Sequence, residues 1–100
     1  METNKIISYV EEISNNITEL LSCNSEETVK RISKKIREKI EKYEEIDDLS
    51  VIIENTIKLL SIFELNSDNE EIKNQSYLYL MSIISSEKKR IMEKYKLNII

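Results

Sequence analysis

One hundred residues, 40% apolar, 34% charged and carrying a net charge of −4, suffice for one domain with a core and are too apolar for a disordered chain. The chain contains no Gly, Pro, His, Trp or Ala, and Cys23 is its single cysteine. Those gaps argue against tight hairpin turns and so against an all-β fold; they leave no glycine-rich phosphate loop, no His- or Cys-based catalytic pair, no zinc set and no internal disulfide.

The first expected helix runs over residues 4–22. Ile6, Val10, Ile13, Ile17 and Leu20 alternate steps of four and three, the seam of a packed helix, with Ile7 and Leu21 widening it. Glu11, Glu12, Asn15, Asn16 and Glu19 take the wet side. Cys23-Asn24 breaks the pattern, and Asn24 with Glu27 three residues on has capping-box spacing. A second helix over 25–44 follows, with a narrow stripe of Val29, Ile32, Ile36, Ile40 and Tyr43 and otherwise charged residues or Ser.

After Glu44–Asp48, where Asp47 or Asp48 is placed to cap, the stretch 48–65 reads as the most apolar helix. Leu49, Ile52, Ile53, Ile57, Leu60 and Phe63 form its main stripe, and Val51, Leu59 and Ile62 extend it around the side. So wide an apolar girth predicts a rod wrapped by the other three helices. Its apolar run of seventeen residues, Leu49–Leu65, spans only about 26 Å, short of the roughly 30 Å hydrocarbon core, and Glu54 and Lys58 fall mid-segment, so no transmembrane segment is expected. Asn66–Glu71 stops this helix and starts the last, with Ser67…Glu70 and Asp68…Glu71 at capping spacing. The last helix covers 68–96; beyond Ser85-Ser86 its stripe rotates, setting Arg90 and Lys94 in line with Ile72 and Ile83, which predicts a bend or fray there. Links of two to six residues make neighbours antiparallel. The expected fold is all-α, an antiparallel up-down-up-down four-helix bundle forming a single domain over 1–100, with a long C-terminal helix. Met1–Lys5 is acidic-polar and unlike a secretory leader, so a cytoplasmic protein is expected.

Charge is laid out in blocks of −5 (1–28), +5 (29–43), −8 (44–71) and +4 (72–100). The basic block makes Lys30, Arg31, Lys34, Lys35 and Arg37, with Lys39 and Lys42, a candidate nucleic-acid surface. The seven side chains spread over about 200° of helix, no aromatic interleaves them, and Glu26–Lys30, Glu27–Arg31 and Glu38–Lys42 are spaced to pair. A solvated, self-paired face is the stronger reading. No catalytic, metal or cofactor site is expected, and adjacent carboxylates such as Glu11-Glu12 point apart on a helix.

On the last helix Tyr77, Met81, Ile84, Met92 and Tyr95 form a second stripe beside the one led by Ile72, Tyr79 and Ile83. One stripe serves the core, and Tyr and Met are types that interfaces favour. The stripe of Tyr77, Met81, Ile84, Met92 and Tyr95 is therefore the candidate docking face for another protein or a second copy of this chain. In length and helix number, though in no residue motif, the chain resembles the class II bacteriocin immunity proteins. That resemblance implies a small inhibitor or adaptor, bacteriocin- or phage-associated, acting by occupying a partner.

Overall fold

The computed structural model describes the backbone over residues 3–99 and side chains over 4–95. Four helices make up the described chain: α1 (Thr3–Leu21), α2 (Glu26–Glu41), α3 (Ser50–Leu65) and α4 (Glu70–Ile99), with a 3-10 turn over Asp47–Leu49 leading into α3. No strand occurs among the described residues, so the all-α class is as expected.

Without glycine, no helix ends on a left-handed cap, and no described residue has a positive φ. The ends are closed by other donors. At the end of α1, Ser22 and Cys23 donate their amides to the carbonyls of Glu19 and Leu20. The Cys23 carbonyl then accepts from Lys73 Nζ at 3.0 Å. Lys73 is fully buried, and its ammonium also meets Glu70 at 3.0 Å. Asn66 ends α3 by donating Nδ2–H to the Ile62 carbonyl at 2.8 Å.

Helix starts shift by a residue from the expected caps. Ser25, rather than Asn24, caps α2, its Oγ accepting from the Thr28 amide at 3.1 Å. Asn69 caps α4 through Oδ1 and the Ile72 amide at 3.1 Å, in place of Ser67 or Asp68. Neither Asp47 nor Asp48 caps the 3-10 turn or α3. The turn shields part of the α3 start by backbone bonds, leaving the Asp48 carboxylate free to reach α4.

Cross-helix contacts set the directions. Cys23–Lys73, Thr18–Tyr77 and Glu11–Lys88 make α1 and α4 antiparallel. Glu12–Lys39 and Tyr9–Tyr43 do the same for α1 and α2. Asp48 against Lys94, with Leu59 and Ile62 beside Ser76 and Tyr79, sets α3 antiparallel to α4. Each helix packs on the next around a ring, α1 to α2 to α3 to α4 and back, while the diagonals are not closely packed. Helix directions therefore alternate up and down around this ring.

The core draws Ile6, Val10, Ile13, Ile17 and Leu20 from α1 and Val29, Ile32, Ile36 and Ile40 from α2, the stripes expected. From the α3 region it takes Leu49, Ile52, Ile53, Leu59, Leu60 and Phe63. That helix is not a wrapped rod, however: Val51 is 42% and Ile57 37% exposed. The reason is register. Ser61 and Glu64 meet Arg37, so antiparallel packing carries Ile57 to the level of Glu41, the last residue of α2, where cover runs out. The apolar girth of α3 reflects a ring position with two covered flanks and an open back.

α4 does not fray at Ser85-Ser86 but runs unbroken for 30 residues, about 45 Å at 1.5 Å each, close to the 49 Å long dimension of the molecule. The rotated stripe has another cause. The flank of α4 that carries Ile72 and Ile83 above carries Arg90 and Lys94 below, where both reach Asp48.

Candidate functional site

Helical spacing divides α4 into a core seam and two flanks. Lys73, Leu80, Ile84 and Ile91 form the buried seam. The expected docking stripe belongs partly to it. Ile84 is only 5% exposed, and Tyr77, Met81 and Tyr95 are half-buried against the core; of the five residues only Met92, at 52%, stands in the open. The phenols are engaged as well: Tyr77 Oη lies 3.0 Å from Thr18 Oγ1, and Tyr95 Oη donates to Asp48 Oδ2 at 2.7 Å. Ile84 is thereby corrected from surface to core. Leu78 and Tyr79, which the stripe omitted, are the large apolar side chains of α4 left most open among the described residues, at 66% and 67%. The buried seam and the expected docking stripe lie less than a quarter-turn apart and look alike in one dimension; which is covered depends on where α1 and α3 lie.

The open surface that results is the α1/α4 face. From α1 it presents Asn4, Ser8 and Glu11, and from α4 it presents Ser85, Lys88, Lys89 and Met92, around a groove of about 780 Å³ with Ile7 and Tyr95 in its walls. Along the same outer side of α4, helical period places Leu78 and Ser82 above Ser85. Glu11 and Lys88 neutralise each other at 3.1 Å, and Lys89 and Glu93 add one charge of each sign, so the lining of the groove carries no net charge. Apolar side chains ringed by polar and charge-balanced ones match the apolar centre and polar rim of an interface. On the opposite flank of α4 a smaller groove of about 290 Å³ lies between Leu59, Ile62 and Tyr79.

The basic α2 is brought together differently from the expected nucleic-acid surface. Arg37 reaches across to Glu64 at 3.2 Å, Lys39 pairs with Glu12, and Lys30 pairs with Glu26 at 3.0 Å. The hydrogen bond from Lys39 holds the Glu12 carboxyl below the usual carboxylate range. The expected Glu27–Arg31 and Glu38–Lys42 pairs do not close, and Arg31, Lys34 and Lys35 are exposed with no ion pair within 4.0 Å among the described residues. Glu27, Glu38 and Glu41 are exposed on the same helix, which breaks any continuous positive track.

Asp48 anchors the one dense polar cluster that sequence reasoning missed. Its carboxylate lies 2.8 Å from Lys94 Nζ, accepts from Tyr95, and stands 3.7 Å from Arg90, whose Nη2 also donates to the Asp48 carbonyl at 3.1 Å. The hydrogen bonds from Lys94 and Tyr95 hold the Asp48 carboxyl below its ordinary range. Lys94, in turn, is held above its own by Asp48. The cluster joins the segment before α3 to α4. It resembles a staple more than a catalytic set, since every group already has a partner. Among the described residues no three His, Cys, Asp or Glu side chains are grouped to hold a metal ion, and no helix is long and apolar enough to cross a membrane.

Compared with family models, with curated proteins and with solved structures, the chain matches none.

Proposed function

We propose that this chain works by binding another protein, without chemistry of its own, as an inhibitor or adaptor of the immunity or anti-defence kind, and that the α1/α4 face is its docking surface. What supports this reading is one observation: Leu78 and Met92 stand exposed along a face whose charges balance and which contains a groove of about 780 Å³. Apolar side chains set among Ser and Asn desolvate cheaply, and a partner gains little from this face unless it covers it. The Glu11–Lys88 pair within it is already satisfied, and the two further charges of the lining, Lys89 and Glu93, are exposed and of opposite sign.

The test is a photo-crosslinking amino acid placed at Met92, with the same group at Lys34 on α2 as control, in cells producing the protein. Adducts heavier than the 11.9 kDa chain should form from position 92 and fade when Leu78→Glu is added. Equal adducts from both positions, or none from position 92, would defeat the assignment of this face.

A further inference from the structure

The geometry points to a second copy of this chain as the occupant of the α1/α4 face, in a two-fold antiparallel dimer centred on Ser85. This rests on the reading above for the docking face alone; its occupant here is a second copy of the chain in place of a different protein. Leu78, Ser85 and Met92 are spaced by seven, so they lie in one row along the outside of α4. The row is symmetric about its small middle residue. Leu78, 66% exposed, is a knob seven residues before Ser85; Met92 lies in the 780 Å³ groove seven residues after it. An isologous contact requires that if residue i meets j, then j meets i. Turning a second α4 antiparallel over the first, with Ser85 facing Ser85, puts each Leu78 over the other copy's groove, beside Met92. Two knobs enter two holes in one motion, and serine at the axis lets the helices approach closely.

Charge permits the pairing. In that register Lys88, Lys89 and Glu93 come level with Ser82, Met81 and Tyr77 of the other copy, and Glu11 on α1 comes level with Asn15, so no like charges are opposed. The face also has enough extent, though not much more. From Asn74 to Tyr95 is about 32 Å of helix, and two helices side by side give a width near 19 Å, or roughly 600 Å² per copy. That is the low end of what stable dimers bury, roughly 600–1,000 Å² per partner, so a dimer forming at micromolar concentration is expected.

Sedimentation velocity of the purified chain from about 1 to 200 μM tests this, the range bracketing the micromolar constant expected for an interface of this size. The mass should rise from 11.9 kDa toward twice that value. Leu78→Glu should stay monomeric with an unchanged helical circular dichroism spectrum, because Leu78 is outside the core. Tyr79→Glu, equally exposed but on the α3 flank, should dimerise as wild type does. In a Cys23→Ser background, Ser85→Cys should oxidise to a covalent dimer, while Lys58→Cys should not. A chain that stays monomeric at 200 μM would overturn self-pairing, and a crosslink from position 92 to a protein of another mass would then leave the docking reading standing. A dimer that survives Leu78→Glu, or one that Ser85→Cys fails to trap, would overturn the two-fold geometry.

Discussion

Tyr9 illustrates how much a single oxygen atom can weigh in this core. Its ring is 2% exposed and stacks on Tyr43 at 3.9 Å between centroids, tilted by 37°, yet its hydroxyl has no hydrogen-bond partner among the described residues. Burial, reinforced by Tyr43 and Glu12, pushes the phenol well above its ordinary pKa. A buried hydroxyl left unpaired costs about 1–3 kcal/mol, and aromatic packing survives its removal. Tyr9→Phe should therefore be more stable than wild type by about 1 kcal/mol in urea titrations at pH 7. Alkaline pH should widen the gap. The folded state keeps the proton that the unfolded chain releases near pH 10, so this residue's contribution is intact below pH 10 and lost as pH rises beyond it, at about 1.4 kcal/mol per unit. Parallel stability curves for the two proteins above pH 10 would show that Tyr9 is not so buried. Lys73 makes the complementary point: a fully buried ammonium is tolerated where a carboxylate and the open carbonyl end of α1 both receive it.

Among elements, the segment before α3 depends on α4 more than on its own sequence. Asp48 is 11% exposed at its side chain, and its partners Lys94 and Arg90 are about half exposed, so solvent screening limits what the cluster contributes. Asp48→Ala should cost about 1 kcal/mol at pH 7, with faster amide exchange across residues 43–49. The carboxyl's pKa is lower in the folded chain than in the unfolded one. Its contribution is thus present above the ordinary aspartate value near 3.9 and fades as pH falls through the folded value. The wild-type and variant curves should converge below pH 4; a gap that persists there would mean that the charge is not what holds the loop. The same cluster explains the rotated stripe of α4. The periodicities of α1 and α2 were legible because each has a single apolar stripe with charge opposite, and both stripes are buried as expected. On α4 a basic flank replacing an apolar one looked like a rotated helix, because Asp48 is remote in sequence and nothing local announces it. The docking face suffered in the same way: Ile84 and Leu78 differ in burial only through their positions relative to α1 and the core, which spacing along one helix does not encode.

At the scale of the whole molecule the ring is unequal. α4 packs most extensively on α1 and α3, whereas α2 meets its neighbours through four buried aliphatics and Ser33, whose hydroxyl is itself unpartnered among the described residues. α2 packs on its neighbours less extensively than any other helix and carries one unsatisfied oxygen, and its two long-range ion pairs, Arg37–Glu64 and Lys39–Glu12, are partly exposed and screened. Proteins open in cooperative units whose free energies track such local burial. α2 is therefore expected to detach first, with α1, α3 and α4 remaining as a three-helix unit joined by Lys73–Cys23 at one end and the Asp48 cluster at the other. Native-state hydrogen exchange in low denaturant resolves this. Amides of Val29–Ile40 should exchange through an opening below the global free energy, with a small denaturant slope, while those of Ile13–Leu20 and Leu80–Ile91 should merge with global unfolding. Raising salt should lower the α2 opening energy further as the two ion pairs are screened. Equal protection in α2 and α4 would instead mean that the four helices fold as one unit, with the narrow stripe of α2 packed tightly enough to make up for its size.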